Sequence, residues 1–91
     1  LIRPDAIVFA RYANRVSALI DDDIPLAFPR NDDFADFRRL LDMHLDEGRP
    51  VYLAFNDEYW KYIEANGLLN GLKVRQLFED VDLRFAEVRR S

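Results

Sequence analysis

Ninety-one residues, 49% of them apolar and including seven Phe, four Tyr and one Trp, suffice for one domain with one core and are too few for a catalytic domain plus a regulatory one. Thirteen Lys and Arg against seventeen Asp and Glu leave a net charge of −4, and the basic residues are scattered apart from Arg89 and Arg90, which argues against a nucleic-acid groove. The absence of cysteine excludes disulfides, a thiolate nucleophile and a thiolate metal site, and fits a reducing or an oxidising compartment equally.

The chain opens on "LIRPDAIVFA", with neither an initiator Met nor the basic-apolar-small order of a signal peptide, so it reads as part of a longer protein. No run of eighteen apolar residues spans a bilayer. Within that start, Asp5 to Tyr12 is a continuous apolar run with β-branched and aromatic members behind a Pro, the pattern of a strand covered on both faces. "NRVSALIDDD" follows, where Val16, Leu19 and Ile20 make one short apolar helical face behind an Asn14 cap.

Ile24 to Arg30 is again apolar but bracketed by Pro25 and Pro29, so a short strand at or near a sheet edge is expected. The spacing of Phe34, Phe37, Leu40, Leu41 and Leu45 predicts the strongest helix, capped by Asp32 or Asp33 and stopped by Gly48; Asp36, Arg38, Arg39, Asp42 and Asp46 form its solvated face. Val51 to Phe55 then reads as a buried strand, and "NDEYWKYIEANG" resumes helical spacing through Tyr59, Trp60 and Ile63 to a Gly67 ending with an apolar contact from Leu68. The tail from Lys73 to Arg90 alternates around the turn-like "EDVD" and predicts two antiparallel strands. The order β-α-β-α-β-α-β-β implies one small α/β domain over residues 1–91: a three-layer, Rossmann-like sheet of three parallel strands with flanking helices, plus a carboxyl-terminal β-hairpin. Its expected core includes Ile7, Val8, Phe9, Leu26, Phe28, Phe37, Leu40, Leu41, Val51, Leu53 and Phe55.

In such a sheet the carboxyl ends of the strands share one edge, which brings Arg11, Tyr12 and Asn14, then Arg30, Asn31 and Asp32, then Asn56, Asp57 and Glu58 towards one another. Two readings of this edge follow. Helix amino termini and the arginines suit an anionic ligand, making Arg11, Tyr12, Asn14, Arg30, Asn31, Asn56 and Asp57 the candidate ligand-binding set. The plainer reading makes Asn14, Asp32 and Asn56 or Asp57 helix caps, and it is favoured because no Gly-rich phosphate turn of either common form is present. Asp32, Asp57 and Glu58 also oppose the two arginines, so weak anion binding at best is expected.

No catalytic residue emerges. His44, the only histidine, lies beside an apolar stripe without a second histidine or a cysteine to share a metal, and reads as a boundary residue. Neither Ser17 nor Ser91 has a His-acid partner placed by sequence. The acidic runs at 21–23 and 32–33 lack the calcium-loop pattern, so no metal and no cofactor is assigned. Tyr52, Tyr59, Trp60 and Tyr62 would suit a sugar platform, but core packing explains most of them.

The succession "DAIVFARYANRVSAL", "DFADFRRLLDMHLDEGRPVYLAF" and "LKVRQLFEDVDLRFAEVRR" resembles the soluble carboxyl-terminal segment of bacterial multi-pass glycosyltransferase-like membrane proteins, those similar to the dolichyl-phosphate-mannose-dependent protein O-mannosyltransferases. The resemblance covers nearly all of the chain, through motifs that form the fold. It implies a domain on the extracytoplasmic side, tethered after a membrane span, whose partner is the membrane-embedded part of the same chain. That family's transferase chemistry resides in acidic residues of a loop in the membrane part, and no position here matches that loop. The expected function is therefore a non-catalytic accessory domain; the alternative is a stand-alone ligand- or phosphate-binding α/β module acting at the strand exits, and self-association is left open.

Overall fold

A computed structural model of the chain describes residues 3–11, 24–27, 33–80 and 82–91. It is a mixed α/β fold. In chain order the described elements are β1 (Ile7–Ala10), β2 (Leu26–Ala27), α1 (Phe34–Asp46), β3 (Val51–Phe55), α2 (Asp57–Ala65), β4 (Leu72–Asp80) and β5 (Leu83–Arg90). The expected helix over residues 14–23 and the expected core residue Phe28 lie outside the described residues.

The strands form one five-stranded sheet in the order β2-β1-β3-β5-β4. β1 runs parallel to both β2 and β3, pairing Val8 with Leu26 and Phe9 with Leu53. β2 is an edge strand, as its flanking prolines lead one to expect. The Rossmann-like arrangement needs correcting. The carboxyl-terminal hairpin is not an appendage to three parallel strands: β5 inserts antiparallel against β3, with Leu53 opposite Ala86, and β4 lies outermost, so the sheet is mixed. The reason is burial. All five residues of β3 are buried, as are Leu83 and Phe85 to Val88 on β5, and each strand reaches that state only with neighbours on both sides. Being antiparallel to β5, β4 runs in the same sense as β3, and α2 makes the crossover between them.

The two helices end alike. In α1 the N–H of Gly48 bonds to the Leu45 carbonyl and that of Arg49 to His44; in α2 the N–H of Gly67 bonds to Glu64 and that of Leu68 to Ile63. These are Schellman closures, and Gly48 and Gly67 adopt φ of +76° and +75°, where a side chain would be strained. At the other end Asp33, rather than Asp32, caps α1, its Oδ1 accepting from the Asp36 N–H at 2.9 Å.

Both helices cover one face of the sheet. Phe37 and Leu41 from α1, and Tyr59, Trp60 and Ile63 from α2, pack with Phe9, Val51, Leu53, Phe55, Ala86 and Val88. The opposite face is buried too, through Val8, Ala10, Tyr52, Ala54, Leu83 and Phe85 with Ile24. Of the expected core, Leu26 and Leu40 are only half-buried, because Leu26 lies on the edge strand and Leu40 on the flank of its helix. Arg38 also departs from expectation: its Nη1 reaches the carbonyls of Leu68 and Asn70 at 2.8 and 2.7 Å, tying α1 to the turn that follows α2 instead of facing water.

Candidate functional site

The carboxyl ends of β1 and β3 lie side by side because the strands are parallel and in register through Ala10 and Ala54. That pairing brings Arg11 to the start of α2, where Asn56 and Asp57 stand. Tyr12, Asn14, Arg30, Asn31 and Asp32 lie outside the described residues.

Arg11, Asn56 and Asp57 are each engaged with the fold. Asn56 has extended backbone and its Oδ1 accepts from the Tyr59 N–H at 2.8 Å, which makes it the N-cap of α2. Asp57 occupies the first turn and pairs with Lys61 at 3.1 Å, one turn along the helix, and with Arg84 of β5 at 3.2 Å. The hydrogen bond from Lys61, aided by Arg84, holds the Asp57 carboxyl below the usual range of an aspartate. Arg11 lies over the ring of Tyr59, its guanidinium carbon 4.8 Å from the centroid.

Tyr59 is the exception. It is 4% exposed, packs on Phe55 at 4.6 Å between centroids, and its hydroxyl is buried without a hydrogen-bond partner among the described residues. Burial pushes the phenol above its usual pKa, against the pull of Arg11. A buried hydroxyl left unpaired costs about 1–3 kcal/mol; among the described residues the Arg84 Nε is the other buried side-chain polar atom with bonding capacity to spare.

Sequence reasoning did not single out Arg84. It stands opposite Phe55 on one side and Glu79 on the other, and its side chain, 23% exposed, faces Asp57, Glu64 and Glu79 at 3.2, 3.9 and 3.7 Å. Its guanidinium lies 5.1 Å from the centroid of the Trp60 ring, and its carbonyl accepts from Trp60 Nε1 at 2.9 Å. Only the insertion of β5 beside β3 brings it there, and no local sequence signal announces that neighbour.

The remaining candidates also have structural partners. Tyr52, Tyr59 and Trp60 are buried in the two cores, and Tyr62 alone of the four is exposed, edge-on to Phe34 at 5.0 Å, so the four rings do not form a common platform. His44 Nδ1 accepts from Arg49 Nη1 at 2.6 Å, since a guanidinium can only donate, and the imidazole meets the edge of Phe9 at 5.9 Å. Burial and then the Arg49 charge lower its pKa, with Glu47 opposing.

Among the described residues, no three His, Asp or Glu side chains stand together to hold a metal ion, and no helix is long and apolar enough to cross a membrane. A cleft of about 730 Å³ runs along the outer face of α1, and another of about 230 Å³ opens near Pro50 and Arg89, at the end opposite the strand exits. Compared with models of known families, with curated proteins and with solved structures, the chain matches none.

Proposed function

We propose that this chain is a non-catalytic accessory domain of a glycosyltransferase-like membrane protein, held on the extracytoplasmic side and packed against the membrane-embedded part of the same protein. The observation that carries this reading is the strand-exit edge, where Asn56, Asp57 and Arg11 are bound to the helix cap, to ion pairs and to an aromatic ring of the domain itself. Groups engaged in that way build a rigid domain and offer little to a substrate. The tether and its side of the membrane rest on the sequence resemblance. The reading frame that encodes the chain tests them: multiple membrane spans upstream support the proposal, and a short frame without them overturns it. Residues 1–91 alone should also fail to turn over a lipid-linked sugar donor, because the transferase chemistry of the family that the sequence resembles resides in a loop that no position here matches; measurable transfer would contradict the proposal.

A second reading has one observation in its favour. The unpartnered Tyr59 hydroxyl, beside the Arg11 guanidinium at the start of a helix, suits a small anionic ligand that accepts a hydrogen bond. On this reading the domain is a ligand- or phosphate-binding module, and substitution Tyr59→Phe abolishes binding without unfolding the chain.

A further inference from the structure

We infer that β4 is a self-complementary edge along which two copies of this chain pair antiparallel and join their sheets. β4 is the outermost strand, nine residues without Gly or Pro, and most of its side chains are exposed. Among the described residues no strand of the sheet follows on its outer side, which leaves a row of backbone donors and acceptors open to a further strand. Its sequence, LKVRQLFED, is basic in the amino half and acidic in the carboxyl half. Turned end for end, a second copy brings its acidic half to the basic half of the first.

The fold matches these charges face by face. Side chains alternate along a strand, and residues opposite one another in a ladder share a face. On β5, Leu83, Phe85, Glu87 and Arg89 therefore share one face, and their partners on β4 are Asp80, Phe78, Arg75 and Lys73. In a regular strand Lys73 and Asp80, an odd number of positions apart, would point to opposite faces. The register shift between Gln76 and Phe78 returns them to the same one. A two-fold axis through Gln76, which then faces its own counterpart, sets Lys73 of each copy against Asp80 of the other, and Arg75 against the Phe78 ring, which is 43% exposed in the single chain. Charged residues and bulges also serve to block sheet edges. Blocking needs charge in any order, whereas this order admits a strand of the reverse pattern, and the chain itself supplies one.

Sedimentation equilibrium of the 91-residue chain from micromolar to millimolar concentration tests the inference. The expected result is a mass rising towards twice the 10.7 kDa of one chain. Lys73→Glu and Asp80→Lys should each raise the dissociation constant by about tenfold or more, since each sets like charges opposite one another. Their equimolar mixture should recover wild-type association, because every charged pair is again of opposite sign. A wild-type chain that stays monomeric at millimolar concentration, single variants that dimerise like wild type, or a mixture of folded variants that stays monomeric would each overturn it. Should either charge variant fail to fold, cysteine cross-linking decides in its place, as the chain has no cysteine of its own. Gln76→Cys should oxidise to a covalent dimer, and Lys73→Cys should not, its counterpart lying about 20 Å away along the strand. Equal cross-linking at both positions, or none at either, would contradict the pairing.

Discussion

Asn56 shows how one side chain can stand for two hypotheses. From the sequence it marks either a ligand site at a strand exit or a helix cap, and the 2.8 Å bond from the Tyr59 N–H to its Oδ1 makes it a cap. Asn56→Ala should therefore destabilise the domain by about 1 kcal/mol, while Asn56→Asp, which keeps an acceptor in place, should be nearly neutral; urea unfolding of the two variants measures the difference. His44 links folding to pH. Its pKa lies below the ordinary 6.5 in the folded chain, so the unfolded chain takes up the proton first as pH falls. The stability contributed by its neutral form is complete above about pH 6.5 and is lost as pH drops through the lower, folded value. The same proton would displace Arg49 from Nδ1. His44→Gln should flatten unfolding stability measured between pH 7 and that lower value, and an unchanged slope would remove His44 as its source.

The two described helices were legible because their signals are local. The apolar stripe from Phe34 to Leu45, an aspartate before it and a glycine after it contain all that α1 requires, and the pattern from Asn56 to Leu68 does the same for α2. Their glycine endings differ in one respect that can be measured. A methyl group at Gly48 meets nothing within 4 Å, whereas at Gly67 it comes 3.0 Å from the Asn70 side chain. Gly48→Ala should cost about 1 kcal/mol from positive φ alone, and Gly67→Ala more than that, as read by the midpoint of chemical unfolding. Strand partners were less legible, since neighbours in a sheet are chosen by burial across the whole chain. The run Val51 to Phe55 shows that β3 is interior, yet nothing in its sequence says that Arg84 will stand beside Phe55. For the same reason Arg84, with Asp57, Glu64, Glu79 and Trp60 around it, is visible only once β5 is in place. The reach of Arg38 to the Leu68 and Asn70 carbonyls is likewise a product of how the two helices pack.

At the scale of the whole molecule, five strands and two described helices close around two apolar layers, with a radius of gyration of 12.0 Å, close to the roughly 12 Å expected of a compact chain of this length. The polar groups at the strand exits serve that closure: Asn56 starts α2, Asp57 joins α2 to β5 through Arg84, and Arg11 covers the ring of Tyr59. Arginine and acidic charge meet there within a few residues, which leaves little net attraction for an anion. Titration of phosphate or a sugar phosphate into the isotopically labelled domain, followed by amide shifts, shows whether this edge is structural. Small, unsaturating changes at Arg11, Asn56 and Asp57 are the expected result. Saturable shifts at those residues with a dissociation constant below about 1 mM, equivalent to roughly 4 kcal/mol of binding, and lost in Tyr59→Phe, would contradict it.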